Sequence, residues 1–274
     1  MTEELVGGTD AGGWYADPSI YDIISTPGTA QEVDMLADLS RRFGLPARPG
    51  ATWLEPACGT GRYLRVIAGR GIEAVGFDLS PEMGAYARES LRRRGLAGKS
   101  RVFTAGMTNF SAAVAPGSID FAFITDNTLR HLGSDADMLS HLAAVARALK
   151  PGGVYAVGIS LSVYGDEAPD EDTFTATRGA CRVTQVYNYL PPGTGGLPPR
   201  SERVISHLMI ERPRGVEHRD SVYDLRCYDS RQWSRLLARS DFAKLASVDR
   251  LGCLVAGRRM LYQTDVLVPR DAGR

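Results

Sequence analysis

Apolar and polar positions follow two different periods along the middle of the chain. Short runs of consecutive apolar residues are typical of buried strands, whereas apolar residues spaced three or four apart are typical of one helix face. The runs predict a first, a third and a fifth strand at 52–54, 101–103 and 154–161. The helical spacing predicts helices at 63–68, 80–95 and 135–149. This alternation of strand and helix predicts an α/β fold with a parallel sheet covered on both faces.

A helical cap is predicted before this core. Apolar residues within 18–27 are followed by an amphipathic helix over 29–43, which Gly44 terminates. We therefore assign residues 1–48 to an N-terminal cap and residues 49–164 to the core.

The pattern changes after residue 164. The stretch 165–172 is acidic and has the composition of a loop. Three later segments alternate in the manner of strands and are separated by turns rich in proline and glycine: 181–190, 202–211 and 217–228. The sequence thus predicts an antiparallel insertion over 165–228, and a helix with two strands over 229–274 that completes the core.

The strongest chemical signal lies just after the first predicted strand. Gly59 and Gly61 allow the backbone to turn sharply there, and the carboxylate of Asp78 follows about 20 residues later, as in sites that bind a ribose. A dinucleotide fingerprint needs a third glycine at the position of Leu64. The pattern therefore favours a nucleoside cofactor without phosphates.

These residues resemble the motifs of the class I S-adenosylmethionine (SAM)-dependent methyltransferases. Residues 55–61 are similar to motif I, with Ala57 at the usual first glycine, and Asp78 matches the ribose-binding acid. In the adenine-binding segment 105–108, Gly106 replaces the common aspartate and Met107 is placed to cover the ring.

The resemblance continues through 118–127, which is similar to the fourth strand, and 149–155, which is similar to the turn into the fifth. It implies a Rossmann-like, doubly wound, seven-stranded sheet, with SAM as the cofactor. The implied cofactor-binding residues are Glu55, Ala57, Gly59, Gly61, Asp78, Leu79, Gly106, Met107, Asp126 and Asn127. The antiparallel insertion resembles the substrate lid of the small-molecule methyltransferases.

Composition excludes some partners. The chain has 32 basic and 32 acidic residues and no basic block, which argues against a nucleic-acid substrate. No apolar run is long enough to span a membrane, and the first residues lack the pattern of a signal peptide, so we expect a cytoplasmic protein. Its four cysteines are scattered without metal-ligand spacing, which predicts reduced thiols and no metal site.

Catalytic candidates follow the fourth and fifth strands, at the sheet edge where open α/β folds bind ligands. The amide of Asn127 can orient the amino acid end of SAM or cap a helix. His131 can act as a general base or as a structural histidine. Tyr164 leaves the fifth strand at this edge, where its ring can stabilise the sulfonium cation.

Further aromatic residues lie in the cap and the insertion. The substrate-binding candidates are Tyr15, Tyr21, Tyr164 and Tyr187, with Trp14 and Tyr189 close to them in sequence. Three arginines of the insertion are candidates for binding a substrate carboxylate or for solvated strand faces: Arg178, Arg182 and Arg203.

Three functions are compatible with these features. The leading hypothesis is methyl transfer from SAM to nitrogen, oxygen or sulfur of a small molecule, mainly through proximity and orientation. The alternative is a SAM-cyclising lyase, in which the amine of SAM displaces methylthioadenosine and forms azetidine-2-carboxylate. A SAM-binding protein without catalysis is the third, against which the largely intact motifs argue. A homodimer through the insertion or the terminal strands is compatible with each of them.

Overall fold

The computed structural model describes residues 14–255, 260 and 262–270. They form two compact units. The first unit takes in the described residues of 28–163 and 228–274, and the second takes in those of 1–27 and 164–227. The predicted cap over 1–48 is thus divided between the units, at a break where Gly28 has a left-handed φ of 84°.

The strands are, in chain order, β1 Thr52–Pro56, β2 Glu73–Asp78, β3 Ser100–Thr104, β4 Ile119–Ile124, β5 Leu149–Ser160, β6 Asp170–Arg178, β7 Cys181–Leu190, β8 Ser201–Arg212, β9 Gly215–Arg226, β10 Phe242–Val248 and β11 Tyr262–Pro269. The helices are α1 Pro18–Ser25, α2 Thr29–Phe43, α3 Arg62–Gly69, α4 Pro81–Arg93, α5 Asp135–Ala148 and α6 Ser230–Ala238. Short 3-10 helices include Thr128–His131 after β4.

The first unit is built on a seven-stranded sheet of order β10-β11-β5-β4-β1-β2-β3. Strands β1 to β5 are parallel, whereas β11 runs antiparallel to both β5 and β10. Apolar clusters that include Trp53 with Phe121, and Phe77 with Phe110, bury the faces of the sheet. The predicted Rossmann-like fold is confirmed.

Local sequence signals fix where its helices begin. The hydroxyl of Ser80 accepts a hydrogen bond from the N–H of Met83, and Pro81 occupies the first helical position of α4. Helix α6 begins with a capping box, in which Asp229 and Gln232 each bond the other's backbone N–H. Because these caps lie within a few residues, the sequence alone was enough to locate both helices.

The second unit contains a four-stranded antiparallel sheet of order β6-β7-β8-β9. One face of this sheet has an apolar region formed by Val183, Leu208 and Ile210. This region packs against Ile20 and Ile23 of α1. The predicted antiparallel insertion is therefore present, with one correction. Strand β6 begins at residue 170 and so includes residues 170–172, which we expected to form an acidic loop. The sequence did not indicate a strand there because nearly all of the side chains of β6 are exposed and show no apolar alternation.

No helix in the described ranges is both long and apolar enough to cross a membrane. All four cysteines are free thiols.

Candidate functional site

The loop between β1 and α3 adopts left-handed backbone conformations at three positions. Ala57, Gly59 and Gly61 have φ angles of 52°, 50° and 70°. A Cβ atom at Gly61 would lie 3.1 Å from the Cβ of Ala87, which makes glycine the fitting residue at that position. Ala57 holds the same kind of conformation at a cost in backbone strain. The chain therefore forms the predicted sharp turn with two glycines and one alanine.

Asp78 ties this loop to the end of β2. One carboxylate oxygen accepts the N–H of Gly59 at 2.8 Å, and the other accepts the N–H of Ser80 at 2.9 Å. Burial raises the pKa of Asp78, and these backbone N–H groups oppose the rise. Each oxygen keeps a further lone pair, so the carboxylate can bind both loops and a pair of ribose hydroxyls.

Glu55, the last residue but one of β1, has a buried carboxyl group. Its Oε2 atom has no hydrogen-bond partner among the described residues, and the same holds for Oγ1 of Thr60 in the adjoining loop. Burial raises the pKa of Glu55 well above its ordinary value, although Arg62 lowers it. A buried carboxyl group that lacks a hydrogen-bond partner is stabilised when a cationic ligand binds beside it. The ammonium group of SAM has the required charge, so these residues fit the cofactor.

The loop after β3 lies beside Asp78, because the N–H of Ala105 donates to the carbonyl of Asp78 at 3.0 Å. Within it, the N–H of Gly106 donates to Oδ1 of Asn109 at 2.8 Å. Sequence reasoning missed Asn109, whose side chain fills the space next to Gly106. Leu79 is 63% exposed, which is unusual for a leucine directly after a buried strand. It offers the apolar surface expected for an adenine.

Asp126 and Asn127 follow β4 with φ angles of 55° and 61°. The amide of Asn127 donates to Oγ of Ser160 at 3.0 Å, and its oxygen accepts the N–H of Ser160 at 2.6 Å. Its side chain makes no helix-capping hydrogen bond. Asn127 therefore joins the ends of β4 and β5, and one N–H and one lone pair of its amide are left for a ligand.

Arg62 is a further residue that the sequence reasoning missed. Its guanidinium donates to Oδ2 of Asp126 at 2.8 Å, to Oγ1 of Thr29 at 3.0 Å and to a carboxylate oxygen of Glu32. It also lies 4.0 Å from the ring centre of Tyr63. This buried cation fixes the start of α3 relative to the end of β4. Its partners are far from it in sequence, so no local sequence pattern predicts these contacts.

The remaining catalytic candidates fall in different units. His131 closes the short helix after β4 in the first unit and is exposed to water. Desolvation by surrounding atoms, and then Arg130, lower the pKa of His131, so the imidazole is neutral at pH 7. Tyr164 lies in the turn after β5 and is half-buried in the second unit.

Tyrosine side chains cluster on the face of the four-stranded sheet that carries α1. The ring of Tyr15 lies 5.8 Å from that of Tyr21 and 6.1 Å from that of Tyr223, and the rings of Tyr187 and Tyr189 stack at 6.0 Å. Burial raises the pKa of Tyr187, and the neighbouring tyrosine hydroxyls raise it further. The structure brings together three predicted substrate-binding tyrosines and adds Tyr189 and Tyr223. We call these five residues the tyrosine cluster.

The three candidate arginines of the insertion pair with carboxylates. Arg178 donates to Asp22 on α1 at 2.7 Å, and Arg203 makes two hydrogen bonds with Asp224 at 2.8 and 3.0 Å. Arg182 lies 3.6 Å from Glu211. These contacts give each arginine a role within the second unit.

Comparison with known proteins adds independent evidence. Residues 54–153 match the methyltransferase domain family. DesVI from Streptomyces venezuelae has a TM-score of 0.72 and 18% identity, covering 92% of this chain and 96% of DesVI. The sugar N-methyltransferase KedS8 from Streptoalloteichus sp ATCC 53650 has a TM-score of 0.68 and 22% identity, covering 97% of both chains.

The SAM-bound amino pentose methyltransferase CalS10 from Micromonospora echinaspora has a TM-score of 0.66 and 20% identity, covering 98% of this chain and 100% of CalS10. No curated protein matches the chain. These comparisons show a methyltransferase domain at residues 54–153, and they show that the chain shares the fold of the solved methyltransferase structures over nearly its full length.

Proposed function

We propose that the protein transfers the methyl group of SAM to a nitrogen atom of a small, sugar-like molecule. The methyltransferase domain supports the transfer of a methyl group, and the choice of acceptor is our inference. KedS8 is a sugar N-methyltransferase and CalS10 an amino pentose methyltransferase, and each shares the fold of this chain over nearly its full length. The absence of a basic block from the sequence also favours an acceptor that is not a nucleic acid.

The observation that carries the acceptor class is the division of one face of the four-stranded sheet. Its apolar part packs against α1, whereas the other part carries Tyr187, Tyr189 and Tyr223 of the tyrosine cluster together with small polar residues. Tyr187, Ser206 and Ser221 lie directly opposite one another on neighbouring strands, so they share this face. Aromatic rings and hydroxyl groups together suit a ligand with apolar C–H faces and polar edges.

The first unit supplies the cofactor site in this proposal. When bound there, SAM would provide an activated methyl group on its sulfonium sulfur. We assign Asp78 to the ribose hydroxyls, Glu55 to the ammonium group, Leu79 and Met107 to the adenine ring, and Asn127 to the amino acid end. The loop residues Ala57, Gly59, Gly61, Gly106 and Asp126 shape the surface on which the cofactor lies.

Catalysis would then consist mainly of orienting the acceptor nitrogen in line with the methyl group. The acceptor must be a neutral amine when it attacks, and we assign His131 as the residue that takes up the proton that is lost. We assign Tyr164 to the neighbourhood of the sulfonium cation, which the face of its ring would stabilise. Tyr15, Tyr21 and Tyr187 bind the acceptor.

The direct test is to incubate the purified protein with SAM, first alone and then with a panel of amino sugars, and to analyse the products by mass spectrometry. We expect S-adenosylhomocysteine and a methylated amine only when an acceptor is present. The Asp78→Ala variant is the control for protein-dependent turnover. Methylthioadenosine with azetidine-2-carboxylate from SAM alone would refute methyl transfer and establish the cyclising lyase. Methylation restricted to hydroxyl or thiol acceptors would refute the choice of nitrogen.

A further inference from the structure

A buried histidine that neither unit's candidate site uses lies behind the loop after β3. His141 on α5 is completely buried, and its Nδ1 atom lies 2.9 Å from the carbonyl oxygen of Met107. Its Nε2 atom lies 2.8 Å from the hydroxyl of Tyr155, which is also completely buried. A carbonyl oxygen can only accept, so Nδ1 carries the proton and Nε2 accepts from Tyr155.

The two contacts hold the imidazole in one tautomer and one orientation. Burial lowers the pKa of His141 to about 4, so the ring is neutral and keeps this arrangement at pH 7. Burial also raises the pKa of Tyr155, whose hydroxyl remains a donor. Phe110, whose ring centre lies 6.1 Å from that of His141, packs on the same side of the loop.

This anchor determines where the next N–H group points. In a trans peptide the carbonyl oxygen and the following N–H point in opposite directions. Because the carbonyl of Met107 points into the core toward His141, the N–H of Thr108 points away from the core. Thr108 is exposed, and in the part of the chain that the structure describes its N–H has no hydrogen-bond partner.

We propose that His141 is a positioning residue for SAM: it holds the loop after β3 so that the N–H of Thr108 donates to N1 of the adenine. The inference rests on the proposed cofactor site, in which this loop meets the adenine. N1 of adenine is an acceptor, whereas N1 of hypoxanthine carries a proton and would oppose the N–H of Thr108. His141 thus governs how well the protein distinguishes the two bases, without touching either.

The test compares binding of S-adenosylhomocysteine and S-inosylhomocysteine by calorimetry. We expect the wild-type protein to prefer the adenine ligand by roughly tenfold, the value of one hydrogen bond replaced by an opposed pair of donors. His141→Leu should weaken the adenine ligand by about tenfold and remove the preference. His141→Asn, which keeps a donor near the position of Nδ1, should restore most of it.

Two further variants separate positioning from stability. Leu142→Ala removes a completely buried side chain of the same helix, so it should lower the melting temperature and leave the preference unchanged. Tyr155→Phe removes only the donor that orients His141, and it should reduce the preference severalfold. This variant tests the same arrangement when His141→Leu does not fold. A wild-type preference in His141→Leu, or in Tyr155→Phe where His141→Leu does not fold, would overturn the proposal. Equal binding of the two ligands by the wild type would also overturn the proposal, and binding of neither would refute the cofactor site itself.

Discussion

The two units of this protein use their polar side chains in different ways. In the first unit, Asp78 accepts a backbone N–H of the left-handed loop after β1, and Asn127, itself left-handed, accepts the N–H of Ser160 at the end of β5. In the second unit, the tyrosine cluster presents rings and hydroxyls on the face of a sheet. In the function proposed above, the first unit would bind the cofactor mainly through a fixed backbone shape, and the second would bind the acceptor mainly through side chains.

The largest effect that separates the units is expected for Asp78→Ala. Loss of two charge-assisted hydrogen bonds to the ribose should weaken SAM binding by about 3 kcal/mol, or more than about 100-fold. Calorimetric titration with S-adenosylhomocysteine measures this change, and circular dichroism checks that the fold is kept. Glu82→Ala, at an exposed acid in the first turn of α4, is the control and should bind normally. Unchanged affinity in Asp78→Ala would remove the ribose assignment.

The second unit is tested by the pair Tyr187→Ala and Val186→Ala. Tyr187 belongs to the tyrosine cluster, and Val186 is the preceding residue, on the opposite face of β7. Loss of the ring should lower kcat/KM for the acceptor by about tenfold and leave the Kd of SAM unchanged. Val186→Ala should alter neither constant. Equal losses of acceptor and cofactor binding in Tyr187→Ala would show that the cluster does not serve the acceptor alone.

The same difference explains what the sequence predicted. Gly59, Gly61 and Asp78 lie in short motifs, so their positions at the sheet edge followed from strand and helix periodicity. Tyr223 was missed because its place beside Tyr15 depends on the register of β8 with β9, which no local pattern records.

Contacts between distant segments account for the other gaps. The position of Asn127 was predicted, but its bond to Ser160 joins two strands that only the folded sheet brings together. The same is true of Arg62 and Asp126. Residues 170–172 of β6 were predicted as loop because pairing with β7, and not apolar burial, makes β6 a strand.

A smaller effect, visible in stability, is expected at Glu55. Its folded-state pKa is raised well above the ordinary value of 4.5. As pH rises above about 4.5 the unfolded chain releases this proton first, so the free energy of unfolding should fall by up to about 1.4 kcal/mol per pH unit. The decline ends once the pH exceeds the folded-state pKa.

Glu55→Gln removes the titratable carboxyl group while keeping the shape of the side chain. Chemical denaturation of both proteins between pH 5 and pH 8, roughly the range in which buried carboxyls titrate, measures the difference in slope. Asp78 also has a raised pKa and contributes to both curves, so only the difference between them reports on Glu55. Parallel curves would mean that Glu55 is ionised in the folded protein.

The smallest effect concerns the alanine that stands where the motif usually has glycine. Ala57 holds a φ of 52°, which costs an L-residue about 1 kcal/mol that glycine avoids. Ala57→Gly should therefore raise the free energy of unfolding by about 1 kcal/mol, less the entropy that a glycine adds to the unfolded chain. Thermal and chemical denaturation measure the change.

The matched control is Ala85→Gly, at an exposed position within α4, where the same substitution should lower stability by about 1 kcal/mol. The two substitutions are chemically identical, so opposite signs can arise only from the backbone conformation at each site. A loss of stability in both would mean that Ala57 is not strained. The loop would then tolerate a side chain at this position because the backbone relaxes in solution, and the cofactor surface would owe its shape to Gly59 and Gly61 alone.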